Sequence, residues 1–230
     1  MKISALILTG GSGARVKGID SPKQFYELLG EPVFIHSLKT YDQIESITDI
    51  YLVINQNYQQ KYEDILGKYS FKKLRALVPG GSDSQISVEN GLAAMEKTDI
   101  VVLQDGANPT TRAEFIEECL DAARRHGACT GCVACEDTVV KASRHTIESV
   151  LERAALACTC SPQVYKFDLL CRAMKEGKKG NLTDRPTVEL VHRLNHKVAL
   201  VYCKFATIKI ATFEDFYAAE QILRKNKCRK

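Results

Sequence analysis

Short apolar runs alternate along the chain with longer stretches in which apolar residues recur at helical spacing. The runs are rich in Val, Ile and Leu and are bounded by Gly, Pro or Asp, which is typical of strands. Because they are almost continuously apolar, they predict strands covered on both faces, as in a parallel sheet. The runs are Ile3–Leu8, Ile50–Ile54, Arg75–Val78, Ile100–Leu103 and Gly131–Cys135.

The stretches between these runs predict helices. A regular alternation of strand and helix predicts right-handed crossover units. The expected fold class is therefore α/β, with a doubly wound and mostly parallel sheet. The predicted helices are Pro32–Tyr41, Tyr58–Lys68, Ser87–Glu96 and Arg112–His126.

The second half of the chain departs from this alternation. Asp137–Leu156 mixes β-branched and charged residues without clear periodicity, and we expect a protruding β-hairpin or arm there. Pro162–Met174 is interpreted as a loop that enters a helix. With no repeat or low-complexity linker in view, the simplest division is one domain over residues 1–230 with an arm at 137–156. The remaining predicted elements are the helix Thr187–Leu194, the strands Val198–Tyr202 and Thr207–Ile210, and the helix Phe213–Arg224.

Charge and hydropathy narrow the classes of partner. The chain has 230 residues and a formal net charge of +4, and its Lys and Arg residues are scattered rather than grouped in a stripe. This distribution favours a small anionic ligand and argues against nucleic acid, for which a basic track is expected. No apolar run approaches the ~20 residues that a membrane span needs, and the first strand leads directly into a glycine-rich loop without a signal peptide. We therefore expect a cytoplasmic protein with no membrane partner.

Nine cysteines raise the question of a metal cluster. Cys129, Cys132 and Cys135 are spaced three apart, and Cys158 and Cys160 are spaced two apart. Because residues three apart on a strand point to opposite faces, the first three thiolates would not converge on one ion. We interpret the cysteines as small core residues in a reducing compartment. An iron–sulfur or zinc site is the less favoured alternative.

The strongest chemical signal is the loop after the first predicted strand. Its Gly10, Gly11 and Gly13 let the backbone approach a triphosphate closely and direct amide groups at it. Arg15 can bind phosphate oxygens with two parallel hydrogen bonds, and Lys23 supplies a point charge. Phosphoryl transfer needs positioning and charge neutralisation of this kind, and little covalent help from the protein.

Individual residues exclude two other classes of nucleotide-binding protein that have a glycine-rich loop. In a dinucleotide-binding loop the third glycine position would be Gly, but it is Val16 here, and the second strand ends at Asn55 without the expected acid. A kinase-type P-loop fails because no Gly-Lys-Ser or Gly-Lys-Thr follows the glycines. A purely structural glycine turn remains open, although it does not explain Arg15 and Lys23 together.

The loop resembles the signature G-G-x-G-x-R, followed by P-K-Q, of the cytidylyltransferases that make CDP-methylerythritol for isoprenoids or CDP-ribitol for wall polymers such as teichoic acid. The resemblance covers nearly the whole chain and implies a Rossmann-like nucleotidyltransferase fold. The other matching segments are Gly80–Leu92, Asp105–Pro109, Glu136–Lys141, Arg153–Leu156, Ser161–Gln163, Ile208–Ile210 and Glu214–Asp215.

The resemblance also implies a role for each matching residue. Arg15 and Lys23 would stabilise the transition state, and Asp105, at the end of a strand, would hold a Mg²⁺ ion that bridges the phosphates. The residues implied to bind the nucleotide are Gly10, Gly11, Ser12, Gly13, Gly81, Ser82, Asp83 and Ser87. The residues implied to position the acceptor phosphate are Thr138, Arg153 and Lys209. In the family the arm reaches into the site of a neighbouring subunit, which implies a homodimer.

Four positions depart from the family pattern, and the mildest is Ser161, which replaces the threonine of T-P-Q and keeps the hydroxyl. The arginine of the second glycine segment is Ser84 here, the arginine of the D-x-x-R-P segment is Asn108, and the asparagine before I-K is Thr207. The loss of two arginines removes two phosphate-binding charges, each worth ~1.5–3 kcal/mol when hydrogen-bonded to a charged group.

The predicted activity is the conversion of CTP and a small alditol phosphate into a CDP-alditol and pyrophosphate. Ribitol 5-phosphate is favoured as acceptor, because the spacing between Arg15 and Pro22, with Arg153-Ala-Ala-Leu and Leu182-Thr-Asp184, resembles the ribitol-phosphate branch more closely. The alternatives are a methylerythritol 4-phosphate cytidylyltransferase and a nucleotide-binding homologue with altered catalysis.

Overall fold

The computed structural model describes residues 1–11 and 22–227. The strands in chain order are β1 (Ile3–Leu8), β2 (Glu27–Leu28), β3 (Glu31–Pro32), β4 (Asp49–Ile54), β5 (Leu74–Pro79), β6 (Ile100–Asp105), β7 (Ala128–Ala134), β8 (Val140–Ser143), β9 (Thr146–Val150), β10 (Ala157–Lys166) and β11 (Ala199–Tyr202). The α-helices are α1 (Val33–Gln43), α2 (Gln59–Leu66), α3 (Ser84–Ala94), α4 (Ala113–His126), α5 (Phe167–Lys179), α6 (Thr187–Arg193) and α7 (Glu214–Lys227).

A seven-stranded sheet in the order β11-β7-β10-β6-β1-β4-β5 forms the centre of the molecule. All neighbouring strands pair in parallel except β10, which is antiparallel to both β6 and β7. The α/β class and the mostly parallel sheet predicted from the apolar runs are confirmed.

Alternating residues of β1 show why its apolar run is nearly continuous. Ile3, Ala5 and Ile7 face one core cluster, which the helices α1, α2 and α4 cover. Leu6 faces the opposite cluster, which α3, α5 and α6 cover. Because both faces of the strand are buried, an apolar residue is favoured at every position, and each fully buried Leu or Ile contributes roughly 1.5–3 kcal/mol.

The connection order places a ligand site at one end of the sheet. The chain runs from β1 outward to β4 and β5, and then returns across β1 to β6. In such sheets ligands bind beyond the carboxyl ends of the strands where the order reverses. The register pairs Leu8 with Asp105, so the glycine-rich loop after β1 begins beside the carboxylate that ends β6.

Two sequence predictions about elements are wrong. Thr207–Ile210 is not a strand; the segment follows the turn after β6 through isolated contacts, among them the backbone bond from Ile210 to Ala107. Pro162–Met174 is not simply a loop before a helix, because β10 extends through Pro162 to Lys166. The pairing of β10 with β7 shifts register between Cys160 and Gln163, which accommodates a proline inside the strand.

The predicted arm at 137–156 contains the antiparallel hairpin β8–β9. Almost every residue of this hairpin is exposed, and Ile147 and Val150 show 65% and 64% of their surface to solvent. Large apolar side chains on a two-stranded hairpin have no core of their own to enter. Within the described residues, no helix has the length and apolar character needed to cross a bilayer.

The cysteines that suggested a metal cluster lie on or beside the paired strands β7 and β10. Cys129 and Cys132 are buried, as the core interpretation predicts, whereas Cys158 is exposed and Cys135 is only partly buried. Among residues 1–11 and 22–227, no three His, Cys, Asp or Glu side chains are grouped as metal ligands. Burial raises the pKa of the Cys160 thiol to about 12, which keeps it protonated and unreactive.

Candidate active site

A cavity of about 490 Å³ opens at the carboxyl ends of β1, β4, β5 and β6. This volume lies within the range of small-molecule sites. Its lining is mostly polar and contains two lysines and two aspartates within the described part of the chain. The lining residues are Leu8, Thr9, Gly10, Gly11, Lys23, Gln24, Asn55, Gln56, Gly80, Gly81, Ser82, Asp83, Ser84, Ser87, Asp105, Ala107 and Lys209.

Two glycine segments meet at the base of the cavity. A Cβ atom on Gly80 would lie 3.1 Å from the Ile54 carbonyl oxygen and 3.4 Å from the Gly10 Cα. A Cβ atom on Gly81 would lie 2.2 Å from Cγ2 of Ile86, closer than any real contact. The chain therefore needs glycine where the two segments approach, and this leaves backbone rather than side chains facing a ligand.

Gln24 holds the first glycine segment in place. Its Nε2 donates to the carbonyl oxygens of Thr9, at 3.0 Å, and Gly11, at 3.2 Å. The Thr9 hydroxyl donates to the Val53 carbonyl at 2.6 Å, and the buried Tyr62 hydroxyl donates to the Thr9 carbonyl at 3.0 Å. The sequence analysis assigned no role to Gln24, although it completes the P-K-Q segment, because a neutral side chain carries no signal of phosphate chemistry.

The second glycine segment ends at the N-terminus of α3. Asp83 caps this helix by accepting a hydrogen bond from the Ile86 amide at 2.9 Å, and its other oxygen accepts from the Ser82 hydroxyl at 3.2 Å. Ser87 accepts from the Gly81 amide at 3.0 Å and donates to the Asp83 carbonyl at 2.8 Å. The positive end of the helix faces the cavity, where an anionic or strongly polar ligand is favoured.

The residues predicted to bind the nucleotide thus come together where they are described. Gly10, Gly11, Gly81, Ser82 and Ser87 all line the cavity. Asp83 lines it as well, but both of its carboxylate oxygens are engaged within the segment, so its direct part is to shape the loop. Ser12, Gly13 and Arg15 lie outside the described residues.

One acid and one base of the predicted set form an ion pair at the edge of the cavity. The Lys209 ammonium contacts Oδ2 of Asp105, while Oδ1 accepts a hydrogen bond from the Ala107 amide at 3.0 Å. The Asp105 amide donates to the Ser161 hydroxyl at 3.0 Å, which places the S-P-Q segment beside this carboxylate. Ser161, like Gln24, was not assigned a role from the sequence.

Lys23 reaches the same edge from beneath. Its Nζ donates to the Ile210 carbonyl at 2.6 Å, and only 8% of the residue is exposed. Since Lys209 and Ile210 are neighbours in sequence, one short segment positions both lysines. This segment therefore carries one of the two cations and accepts a hydrogen bond from the other.

A carboxylate in the first turn of α7 holds the chain directly after the segment that contacts the lysines. Oδ2 of Asp215 accepts hydrogen bonds from the amides of Ala211 and Thr212, both at 2.7 Å. Burial alone would raise the pKa of this carboxyl, but the amide donors stabilise its charged form more strongly, and its pKa lies below the usual value. The charge of Asp215 thus fixes the chain directly after Lys209 and Ile210.

Two residues predicted to bind the acceptor lie away from the cavity. Thr138 and Arg153 are exposed and are not among its lining residues. The Arg153 guanidinium donates to the Glu136 carbonyl at 2.9 Å, at the base of the arm. Within one chain, only Lys209 of the three predicted acceptor ligands belongs to the cavity.

Asp105 has the chemistry of a magnesium ligand, and the other aspartate of the cavity, Asp83, has both carboxylate oxygens engaged within its own segment. Mg²⁺ in nucleotide sites is commonly held by one or two carboxylates and completed by phosphate oxygens and water. Asp105 would meet this requirement at the mouth of the glycine-rich loop, where its Oδ2 contacts Lys209. The residues present therefore fit a metal that arrives with the nucleotide rather than one bound by the protein alone.

The fold and the cavity define a nucleotidyltransferase. Glycine backbone and a helix N-terminus face the cavity, while two lysines and the carboxylate of Asp105 stand at its edge. Comparison with known proteins agrees with this class and narrows it. Residues 3–225 match the family described as "IspD: 2-C-methyl-D-erythritol 4-phosphate cytidylyltransferase". The chain belongs to this family of cytidylyltransferases.

Individual relatives match over almost the full chain. The 2-C-methyl-D-erythritol 4-phosphate cytidylyltransferase of Geobacillus thermodenitrificans is 34% identical over 223 residues, 97% of each protein. The protein of the same name from Shouchella clausii is 32% identical over 225 residues, 98% of each. These names match the alternative acceptor of the sequence analysis, and the preference for the ribitol-phosphate branch finds no support among them.

Solved structures share the fold. The 4-diphosphocytidyl-2C-methyl-D-erythritol synthase of Anaerococcus prevotii superimposes with a TM-score of 0.84 at 25% identity, covering 97% of this chain and 96% of the other. The Thermus thermophilus 2-C-methyl-D-erythritol 4-phosphate cytidylyltransferase gives a TM-score of 0.76 at 24% identity, covering 97% and 100%. The Rossmann-like nucleotidyltransferase fold expected from the resemblance is therefore confirmed.

Proposed function

We propose that this enzyme transfers the cytidylyl group of CTP to 2-C-methyl-D-erythritol 4-phosphate and releases pyrophosphate. The names of the relatives that match over the full chain support this acceptor. The observation that carries the proposal is that two glycine segments, Lys23 and the Asp105–Lys209 pair line one cavity. This arrangement suits a polyphosphate and a second phosphate that meet at one edge.

The chemistry is an in-line displacement at the α-phosphorus of CTP. An oxygen of the acceptor phosphate forms the new P–O bond as the bond to the β-phosphate bridging oxygen breaks, and pyrophosphate leaves with that oxygen. Negative charge grows on the leaving group and on the equatorial oxygens. Lys23 neutralises it from the floor of the cavity, and Arg15, on the glycine-rich loop, is assigned the same task.

We assign Mg²⁺ to Asp105. When bound, the ion supplies charge neutralisation and holds the phosphates in one conformation. Asp105 would hold the ion, and Lys209, whose ammonium contacts the same carboxylate, would receive the acceptor phosphate.

Thr138 and Arg153 enter the proposal through a second copy of the chain. Neither lines the cavity of its own chain, and both lie beside a hairpin with two exposed apolar residues, Ile147 and Val150. We propose a homodimer in which the arm of each copy enters the cavity of the other and brings Thr138 and Arg153 to the acceptor. A symmetric dimer forms two such sites with one kind of contact.

The proposal includes a cytoplasmic location. The eight cysteines of the described residues are free thiols, as is usual where thiols are kept reduced. The substrates, CTP and a phosphorylated polyol, are small anions, in keeping with the mild net charge and scattered cations of the chain.

The test is pyrophosphate release by the purified protein with CTP and Mg²⁺, with one acceptor supplied at a time. We expect release with 2-C-methyl-D-erythritol 4-phosphate, and a CDP-alcohol product by mass spectrometry. Lys23→Ala removes the activity, while Lys68→Ala, an exposed lysine away from the cavity, retains it.

Two other outcomes would replace the proposal. Release with ribitol 5-phosphate alone would restore the ribitol-phosphate reading that the Leu182-Thr-Asp184 spacing favours. CTP binding without turnover of any acceptor, glycerol 3-phosphate included, would identify a nucleotide-binding homologue with altered catalysis, the reading that the loss of arginine at Ser84 and Asn108 suggests.

A further inference from the structure

Two of the four departures from the family pattern touch each other in the fold. Asn108 stands where the family has arginine, and Thr207 stands where it has asparagine. The Thr207 hydroxyl lies 3.1 Å from Nδ2 and 3.2 Å from Oδ1 of Asn108, across 99 positions of sequence. Because each departure is the partner of the other, they form one feature of this chain rather than two.

The pair belongs to a buried hydrogen-bond network. Oδ1 of Asn108 accepts from the Thr110 hydroxyl at 3.0 Å, and that hydroxyl in turn accepts from the Ile208 amide at 3.0 Å. The Asn108 carbonyl accepts from Nε2 of Gln104 at 3.2 Å. Asn108 is 2% exposed, so its amide is isolated from water and depends on these partners.

The network fixes the segment that carries the acceptor-side lysine. Thr207 and Ile208 are tied to Asn108 and Thr110, and the Ile210 amide donates to the Ala107 carbonyl at 2.8 Å. Lys209 therefore lies between two anchored residues. Its long side chain extends from a backbone whose position is set by this network.

An arginine does not fit the position of Asn108 with its present partners. Its guanidinium would add volume and a charge to a site that is almost closed to water, and burial of an unpaired charge is strongly unfavourable. The Thr207 and Thr110 hydroxyls offer no carboxylate to pair with it. A family arginine at this position requires a different neighbour at position 207.

We propose that Asn108 and Thr207 are a coupled pair of positioning residues that place Lys209 for the acceptor phosphate. The inference rests on the proposed function and deepens it. With no arginine at position 108, Lys209 is the cation that the pair positions for a phosphomonoester at this edge of the cavity. Neither residue needs to touch the substrate.

The kinetic test uses Asn108→Arg, Thr207→Asn, the double variant that restores both family residues, and the milder Thr207→Val. Each single variant is expected to raise KM for the acceptor about 10-fold or more while KM for CTP changes less than about 2-fold. The double variant is expected to recover most of the loss, because it restores the combination of residues that the family pattern has at these two positions. Thr98→Val, a buried threonine at the opposite end of the sheet, is the matched control and leaves both KM values unchanged.

A second measurement does not depend on turnover. With lysine labelled at Cε, the Lys209 signal is identified by its loss in Lys209→Arg and reports the contact with Asp105. The single variants are expected to move this signal toward that of exposed lysines, and the double variant to return it. The free energy of unfolding, measured for all variants, separates loss of the fold from loss of position.

The results separate the two proposals. If the wild type turns over no acceptor, the proposed function fails, and the Lys209 signal still decides the positioning role. If the single variants leave the Lys209 signal and the acceptor KM unchanged, or if the double variant shows only the sum of their effects, the positioning role is overturned whatever the acceptor is.

Discussion

Lys23 and Lys209 carry the same charge in different surroundings. Lys23 is nearly buried and donates to a backbone carbonyl, so its position varies little. Lys209 is half exposed and contacts a carboxylate that we assign to a metal. A fixed cation suits charge that develops in the transition state, and an exchangeable one suits a substrate that arrives and leaves.

Replacement of each lysine is therefore expected to affect a different kinetic constant. Lys23→Ala lowers kcat about 10²–10³-fold, as loss of one preorganised transition-state donor does. Lys209→Ala mainly raises KM for the acceptor, because it removes binding of the incoming phosphate. Steady-state kinetics with each substrate varied in turn measures both effects. Equal changes in kcat and KM for the two variants would contradict this division.

The carboxyl of Asp215 makes the stability of the folded protein depend on pH. Its pKa in the folded protein is below the usual 3.8, so the charged form stabilises the fold. This stabilisation is complete above the unfolded pKa and is lost as pH falls through the lower folded value. Asp215→Ala is expected to lower the free energy of unfolding at neutral pH, with a smaller difference from wild type below about pH 4. Urea unfolding at a series of pH values tests this, and a difference that grows toward acid pH would show the sign to be wrong.

At the scale of elements, the junction of β5 and α3 shows how packing and ligand binding share residues. Gly81 packs against Ile86 of the helix, and Ser87 ties that turn together. The same glycine exposes its backbone to the cavity. A change there affects the stability of the helix start and the nucleotide site at once.

Gly81→Ala is expected to destabilise the protein and to weaken CTP binding, because its Cβ would lie 2.2 Å from Cγ2 of Ile86. Overpacking of this kind costs typically 1–3 kcal/mol. Gly11→Ala is the matched comparison for stability, since its Cβ meets no described heavy atom within 4 Å. Thermal unfolding of the two variants, with and without CTP, checks the contrast. Equal melting temperatures would refute the steric argument.

The parallel strands could be predicted from the sequence, because a strand that is buried on both faces is almost continuously apolar. It did not predict β10, since Pro162 lies within that strand and interrupts the apolar run. The Thr207–Ile210 segment has the alternation of a strand, but its neighbour is a turn rather than another strand. The pattern of residues within a segment does not predict which other segment its backbone will bond to.

The candidate site was predictable to the extent that its chemistry is charged or rich in glycine. Lys23, Asp105 and Lys209 carry charges that phosphate transfer needs, and the structure groups them. Gln24 and the Asn108–Thr207 contact were not predictable in the same way. They are neutral, and the contact joins residues 99 positions apart.

At the scale of the whole molecule, the separation of Arg153 from the cavity of its own chain predicts complementation between inactive variants. In the proposed dimer each site takes its core from one copy and its arm from the other. Lys23→Ala and Arg153→Ala are each expected to have little activity. When they are mixed at equal amounts and allowed to exchange, about a quarter of the wild-type activity should return, since half the dimers contain one intact site of two.

This result requires exchange of subunits, which sedimentation or mass spectrometry of the mixture verifies. Two variants that both alter the core, Lys23→Ala and Lys209→Ala, serve as the control and should give no recovery. Absence of recovery after verified exchange would mean that Arg153 acts in its own chain or not at all.

The pairing of the two strands that flank the arm allows the arm to be replaced without a change in the sheet. Residues Ala134 of β7 and Ala157 of β10 are paired neighbours in the sheet, so the chain leaves and re-enters the core at one place. Residues 135–156 are an insertion whose ends already meet, and a short turn can close the same gap. In the proposed dimer, the part of acceptor recognition that Thr138 and Arg153 supply can therefore be exchanged with the arm, while Lys209 and the glycine segments stay in place.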